Sequence, residues 1–260
     1  MWRALTAWFD SPLGQELRAT EGKHLDAVLS NLFGYHLLQV GRLGQGDMLG
    51  TSRVSHAVVM DPATGCGTPE DDERRLLGLP HGLPIASASL DVVVLPHVLE
   101  FSDTPHDVLR EVERTLIPEG HIVLLGFNPW SMWYLARLLF GWRGRVPWCG
   151  RFLSLTRVKD WLRLLGFDIV EVRSFFFRPP LRHPGAMRRL RFLERFGARL
   201  WPVFGGGYLL LARKRVATLT PLRPRWQPRR RRLVGGLAEP SQTRNMRRIR
   251  RGSAVEHGGG

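Results

Sequence analysis

LDVVVLPHVLEF, Leu90 to Phe101, is the stretch on which the fold turns. Val92-Val93-Val94-Leu95 is a continuous β-branched and apolar run, the pattern of a strand buried on both faces of a parallel sheet. A helix start follows, with Thr104 as N-cap, Pro105 in the first position and Asp107 completing a capping-box-like pair. Val108, Leu109, Val112 and Leu116 fall on one face of that helix. Ile117-Pro118-Glu119-Gly120 ends it, and His121 to Leu125 reads as the next buried strand. Strand, helix and strand within 36 residues make a βαβ unit.

The same reading extends both ways. Leu155, Val158, Trp161, Leu162 and Leu165 mark a second helical face stopped by Gly166, then Phe167 to Val172 and Tyr208 to Ala212 read as strands. Upstream, Tyr35 to Val40 and His56 to Met60 are strands joined by a glycine-rich turn and a short helix, with a weaker strand near Leu76 to Leu79. Ser11 to Phe33 is a leading helix carrying Leu17, Leu25, Val28, Leu29 and Leu32. Strands alternating with helices predict an α/β fold, a doubly wound and mostly parallel sheet. The predicted domain is residues 1–215, its core beginning near residue 12.

Composition bounds the function. Of 260 residues, 38 are basic and 23 acidic, a net +15, and the excess is local. From Arg213 onward there are 14 basic residues against Glu239 and Glu256 alone. Residues 216–260, rich in Arg, Pro and Gly, cannot bury enough apolar surface to order themselves and read as a disordered basic tail. Cys66 and Cys149 have no CxxC partner or His cluster, so no metal site is expected. Asp10, Pro12 and Glu16 interrupt any N-terminal signal-like run, and Asn128-Pro129 and Arg137 break the apolar stretch from Ile122 to Phe140. A cytoplasmic protein without a transmembrane segment is the expectation.

At LPIASASLDVVVLPHVLEF (83–101) and VLREVERTLIPEGHIVLLGFNP (108–129) the chain resembles the class I S-adenosylmethionine-dependent methyltransferases, specifically the type 11 methyltransferase domain family. The resemblance implies a Rossmann-like sheet, S-adenosylmethionine as cofactor, and a cofactor-binding glycine loop after the first strand. Two loops compete for that role. The family places helix, strand, helix and strand between its glycine loop and the strand at Leu90. The loop in MDPATGCGTP (60–69) lies only 23 positions from Leu90, counted from Gly67, and a βαβ unit alone takes roughly 30 residues. LLQVGRLGQGD (37–47) leaves 44 positions from Gly46, so Gly41, Gly44 and Gly46 are the candidates for cofactor contact. Asp61, twenty positions beyond Gly41, then falls where the family places its ribose-binding acid.

The resemblance also implies departures. The family usually has an acid where this chain has Gln39, and often an Asp where it has Leu79; both positions belong to the implied cofactor site. His97, following the fourth strand near the implied methyl position, is a candidate base or orienting residue, or a structural histidine. The cofactor carries its own activated methyl, so no catalytic dyad is required. Trp130, Trp133, Trp142 and Trp148, with Phe140, Arg137, Arg143 and Arg145, form either a lid over an apolar acceptor, an interfacial helix on a membrane surface, or a core-covering helix. The six arginines between Arg178 and Arg195 read as a solvated helical face.

The leading expectation is therefore an S-adenosylmethionine-dependent methyltransferase acting on a small-molecule acceptor. One alternative is a catalytically lapsed binding or regulatory protein, favoured by Gln39 and Leu79. The other is nucleic-acid association through Arg229–Arg232 and Arg244–Arg251. That last reading is the weakest, because the tail holds a single aromatic, Trp226, and arginine outnumbers lysine 35 to 3 along the whole chain.

Overall fold

The computed structural model describes residues 2–44, 48–62, 75–140, 146–179 and 204–216. The expectations for Gly46, the GCGT turn with Cys66, Trp142, Arg143, Arg145, the arginines from Arg182 to Arg195 and the basic tail lie outside the described residues.

The strands are β1 (His36–Val40), β2 (His56–Pro62), β3 (Arg75–Gly78), β4 (Leu90–Pro96), β5 (Leu116–Phe127), β6 (Phe167–Phe175) and β7 (Gly207–Lys214). They form one seven-stranded sheet in the order β3-β2-β1-β4-β5-β7-β6. All pairings are parallel except those of β7, which runs antiparallel to both β5 and β6. The helices are α1 (Trp2–Phe9), α2 (Pro12–Leu29), α3 (Val98–Phe101), α4 (Pro105–Thr115), α5 (Met132–Phe140) and α6 (Leu155–Leu164).

Period-two alternation divides the core into two layers. Val92, Val94, Val123, Leu125, Phe127, Leu209 and Leu211 face α1, α2 and α5. Val93, Leu95, Ile122, Leu124, Leu210 and Ala212 face α4 and α6. Both faces of the central strands are thus covered, which is why β4 carries no polar alternation.

The motif residues at 83–91 and 108–116 prove to be a structural knot. Glu111 accepts from the Leu83 amide at 3.0 Å, and Arg114 donates to the Leu83 carbonyl at 3.1 Å and to Ser87 at 2.9 Å. Asp91 accepts from the Tyr35 and His36 amides at 3.0 and 2.9 Å, fixing the start of β1 against β4.

Four expectations need correction. The leading helix begins at Pro12, capped by Ser11, but a further helix, α1, precedes it, with Leu5 and Phe9 fully buried. Asp10 and Pro12 separate the two helices, so a reading that looked for a long period missed an eight-residue one. No helix joins β1 to β2 among the described residues, where the connection is made of turns, bends and irregular backbone; its glycines cost helical stability. Thr104 makes no side-chain cap, its own amide being tied to Ser102 Oγ at 3.3 Å, while Pro105 does open α4. Finally, the Pro-Glu-Gly turn does not precede β5 but interrupts it, with Glu119 at φ 66° and the register to β4 shifting between Leu90 and Val92.

Candidate active site

In a sheet of this order the connections part between β1 and β4, and ligands lie beyond the carboxyl ends of the strands at that point. There the β1 loop leaves the sheet at Gly41, whose φ of 86° favours glycine and whose amide donates to the Met60 carbonyl at 2.7 Å. Gly44 is also left-handed, at φ 71°. A Cβ on Gly44 would lie 2.8 Å from Arg18 Nη1 and 3.0 Å from Asp10 Oδ1, and one on Gly41 would overlap Trp2 Cζ2. The side chains of α1 and α2 therefore press against the bare backbone of both glycines.

Gln39 is fully buried and spans the loop. Its Nε2 donates to the Gly41 carbonyl at 2.8 Å, and its Oε1 accepts from the Met48 amide at 3.4 Å. It therefore holds the two ends of the loop together. Asp61 sits near the carboxyl end of β2, with Arg42 Nη2 3.4 Å from its carboxylate. Leu79 follows β3, bridges to Gly82 and is 43% exposed. The structure thus brings Gln39, Gly41 and Asp61 to one edge of adjacent strands, with Leu79 beyond β3.

His97 ends β4 in a left-handed conformation (φ 56°) and is fully buried. Its Nδ1 lies 2.7 Å from Glu100 Oε2 and its Nε2 2.8 Å from Glu21 Oε1. Glu100 Oε1 accepts the Phe127 amide, joining α3 to the end of β5. Burial acts to lower the His97 pKa, but the flanking carboxylates more than offset it and raise it from 6.5 to about 10. Burial likewise raises the Glu100 carboxyl. The ring is walled by Phe127 at 4.2 Å and Phe9 at 5.7 Å between centroids. With both nitrogens engaged, the imidazolium has no free lone pair with which to take a proton.

Sequence reasoning missed Glu21. Its apolar neighbours Leu17 and Leu25 lie four residues to either side, so an acid on the buried stripe of α2 was the available signal.

The tryptophan segment resolves into the core-covering reading. Trp133 is 1% exposed, stacks on Phe127 at 5.5 Å, contacts Trp148 at 5.4 Å and donates to the Arg178 carbonyl at 3.1 Å. Trp130 alone among the three of these tryptophans that lie in the described residues is exposed. Arg178 is not on a solvated face: it is buried, 3.3 Å from Glu16 and 4.8 Å over Phe176. Two cavities flank α2. One, of about 460 Å³, is lined by Gln15, Arg18, Gly22, Met48 and Thr51. The other, of about 640 Å³, is lined by His24, Asn128, Trp130, Thr156, Phe177 and Tyr208, near the carboxyl ends of β5 and β6. No helix among the described residues is long and apolar enough to cross a membrane.

Comparison with known proteins agrees with this architecture. Residues 66–124 match a methyltransferase domain family model. The chain is 33% identical over 232 residues to YafS of Escherichia coli (strain K12), an uncharacterized protein, covering 88% of this chain and 90% of that one. An uncharacterized Mycobacterium tuberculosis protein is 27% identical over 68% of this chain and 62% of its own length. Among solved structures, a chain determined with the Haloferax volcanii Trm112 methyltransferase activator superposes with TM-score 0.57 at 19% identity, over 83% of this chain and 98% of that one. An S-adenosylmethionine-dependent methyltransferase from Mesorhizobium loti superposes with TM-score 0.51 at 16% identity, over 74% and 96%. The chain belongs to the class I S-adenosylmethionine-dependent methyltransferase family.

Proposed function

We propose that the chain binds S-adenosylmethionine across the carboxyl ends of β1 and β2 and transfers its methyl group to a small-molecule acceptor. The observation that carries this reading is the pairing of a bare, left-handed Gly41 with the Asp61 carboxylate on the adjacent strand. The residues fit the cofactor. Gln39 fixes the loop's two ends, Gly41 carries no side chain to bar a close approach, and Asp61 can accept two ribose hydroxyls. Its separation of 3.4 Å from Arg42 is long for a charge-assisted bond, so its lone pairs are not saturated.

The cofactor, when bound, supplies a methyl group already activated on a sulfonium. What the chain's own residues supply is position. Glu21, His97 and Glu100 fix the turn after β4, so His97 is a positioning residue here rather than a general base. The 640 Å³ cavity at the ends of β5 and β6 has the size of a small-molecule site and joins aromatic walls to Asn128 and Thr156. That mixture supports an acceptor with apolar bulk and a few polar atoms. The lapsed-catalysis reading keeps two observations in its favour: the Gln39 amide is spent on the loop, and Leu79 brings no polar group to the edge.

Calorimetric titration of S-adenosylmethionine into the full chain tests the proposal. Micromolar binding is expected, weakened about 10- to 100-fold by Asp61→Ala, since a hydrogen bond to a charged group is worth roughly 1.5–3 kcal/mol. The melting temperature should be unchanged, because Asp61 holds only a part-exposed pair with Arg42. Absence of binding up to millimolar cofactor refutes the proposal.

A further inference from the structure

Trp2 stands in the place the proposed cofactor has to use. It packs on both core layers at once, which places it at the seam beyond the edge of the sheet rather than on either face. Its ring lies 6.3 Å from Phe101, at the end of α3, and its Cζ2 fills the position a Cβ on Gly41 would occupy, with Cη2 3.0 Å from that point. The glycine that opens the loop is therefore covered by an indole of the same chain. Thr6 Oγ1 reaches the Arg42 carbonyl at 3.4 Å, so a second residue of α1 also touches the loop.

The fit is incomplete in one telling respect. Among the described residues Trp2 Nε1 is buried without a hydrogen-bond partner, and so is Arg42 Nε in the loop. Buried donors left unmade are costly and rare in native structures. The rest of α1 shows no such defect: Leu5 and Phe9 are fully buried apolar anchors. The helix is thus fixed at its carboxyl half, while its first residue is held against Gly41 by a contact that leaves a donor unsatisfied.

We infer that Trp2 is a gate over the cofactor loop, closed in this structure, that must swing off Gly41 before S-adenosylmethionine can bind. The inference rests on the cofactor reading above. Leu5 and Phe9 keep α1 docked in both states, so the movement is that of one side chain and the first turn. A cofactor that binds only the open state shows an affinity reduced by the open fraction. Removing the indole abolishes that reduction.

The test is calorimetric titration of S-adenosylmethionine into the full-length wild type, Trp2→Ala, Trp2→Phe and Asp61→Ala, with thermal melts of each. If the gate is closed nine times in ten, Trp2→Ala binds about tenfold tighter than wild type. Trp2→Phe, lacking the benzo edge that covers Gly41, falls between them. Trp2→Ala binding equally or more weakly, while folded and with Asp61→Ala still weakening binding about 10- to 100-fold in the wild-type background, overturns the gate and leaves the cofactor site standing. No binding by any variant, Trp2→Ala included, removes the cofactor reading and the gate with it.

Discussion

Replacing His97 by asparagine removes the one cation between Glu21 and Glu100 while keeping a residue that tolerates the left-handed backbone at φ 56°. Asparagine can satisfy at most one of the two carboxylates, so the other is left buried and uncompensated. Breaking a buried ion pair by deleting one partner costs about 3–5 kcal/mol. An independent route gives a similar size: a histidine pKa raised from 6.5 to about 10 corresponds to about 5 kcal/mol. Part of this is returned because burial also raises Glu100, so a loss near 3 kcal/mol is the expectation. The sign of the pH dependence follows from the raised value. The contribution is fully present below pH 6.5 and is lost as pH climbs through about 10. The deficit of His97→Asn relative to wild type should therefore be at full size below pH 6.5 and markedly smaller at pH 9, with part of it still present there and the rest lost only above pH 10. Urea unfolding below pH 6.5 and at pH 9, with equal slopes for the two proteins, measures it directly. A deficit under about 1 kcal/mol, or one that does not change with pH, would refute the buried-imidazolium account.

Three further outcomes are expected. Asp91→Ala frees the Tyr35 and His36 amides at the start of β1 and should cost about 1–3 kcal/mol in urea unfolding, with cofactor affinity changed less than by Asp61→Ala. Gly41→Ala should destabilise by about 1–3 kcal/mol, from the positive φ and the overlap with Trp2, and a Trp2→Ala background should remove part of that cost in a double-mutant cycle. Trp133→Phe leaves space among Phe127, Trp148 and Phe176 and drops the bond to the Arg178 carbonyl; it should lower the melting temperature and quench little of any surface-exposed tryptophan emission.

Legibility in the sequence followed local redundancy. From Leu83 to Asn128 several signals agree: a β-branched run, a proline at a helix start, an apolar helical stripe and a second buried strand. Each is set by neighbours within a few residues, so all were readable, and the same residues carry the family resemblance. The choice between the two glycine loops rested on counting chain length; Gly41 of the chosen loop leaves β1 at the switch point, and the other loop lies outside the described residues. Two kinds of feature were out of reach. The Glu21–His97 contact joins residues 76 positions apart, and nothing in the local pattern of α2 names its partner. The packing of Trp2 on Gly41 depends on how α1 folds back across the sheet edge, a tertiary fact with no periodic trace.

The two features that sequence could not show meet at the same point. Beyond the ends of β1 and β4 the wall is built from α1 and α2: Trp2 on the loop, Phe9 beside His97, and Glu21 on the imidazolium. The close approach of Trp2 is one physical reason for a glycine at position 41, and the proposed cofactor would be a second. They are not exclusive, because both need the same missing Cβ. A glycine backbone covered by an indole of the same chain is what the proposed gate requires. The unsatisfied Nε1 of Trp2 also gives the closed state a reason to yield. A loop closed permanently for stability alone would have no use for a buried donor without an acceptor, since such a donor costs free energy without holding the closed state.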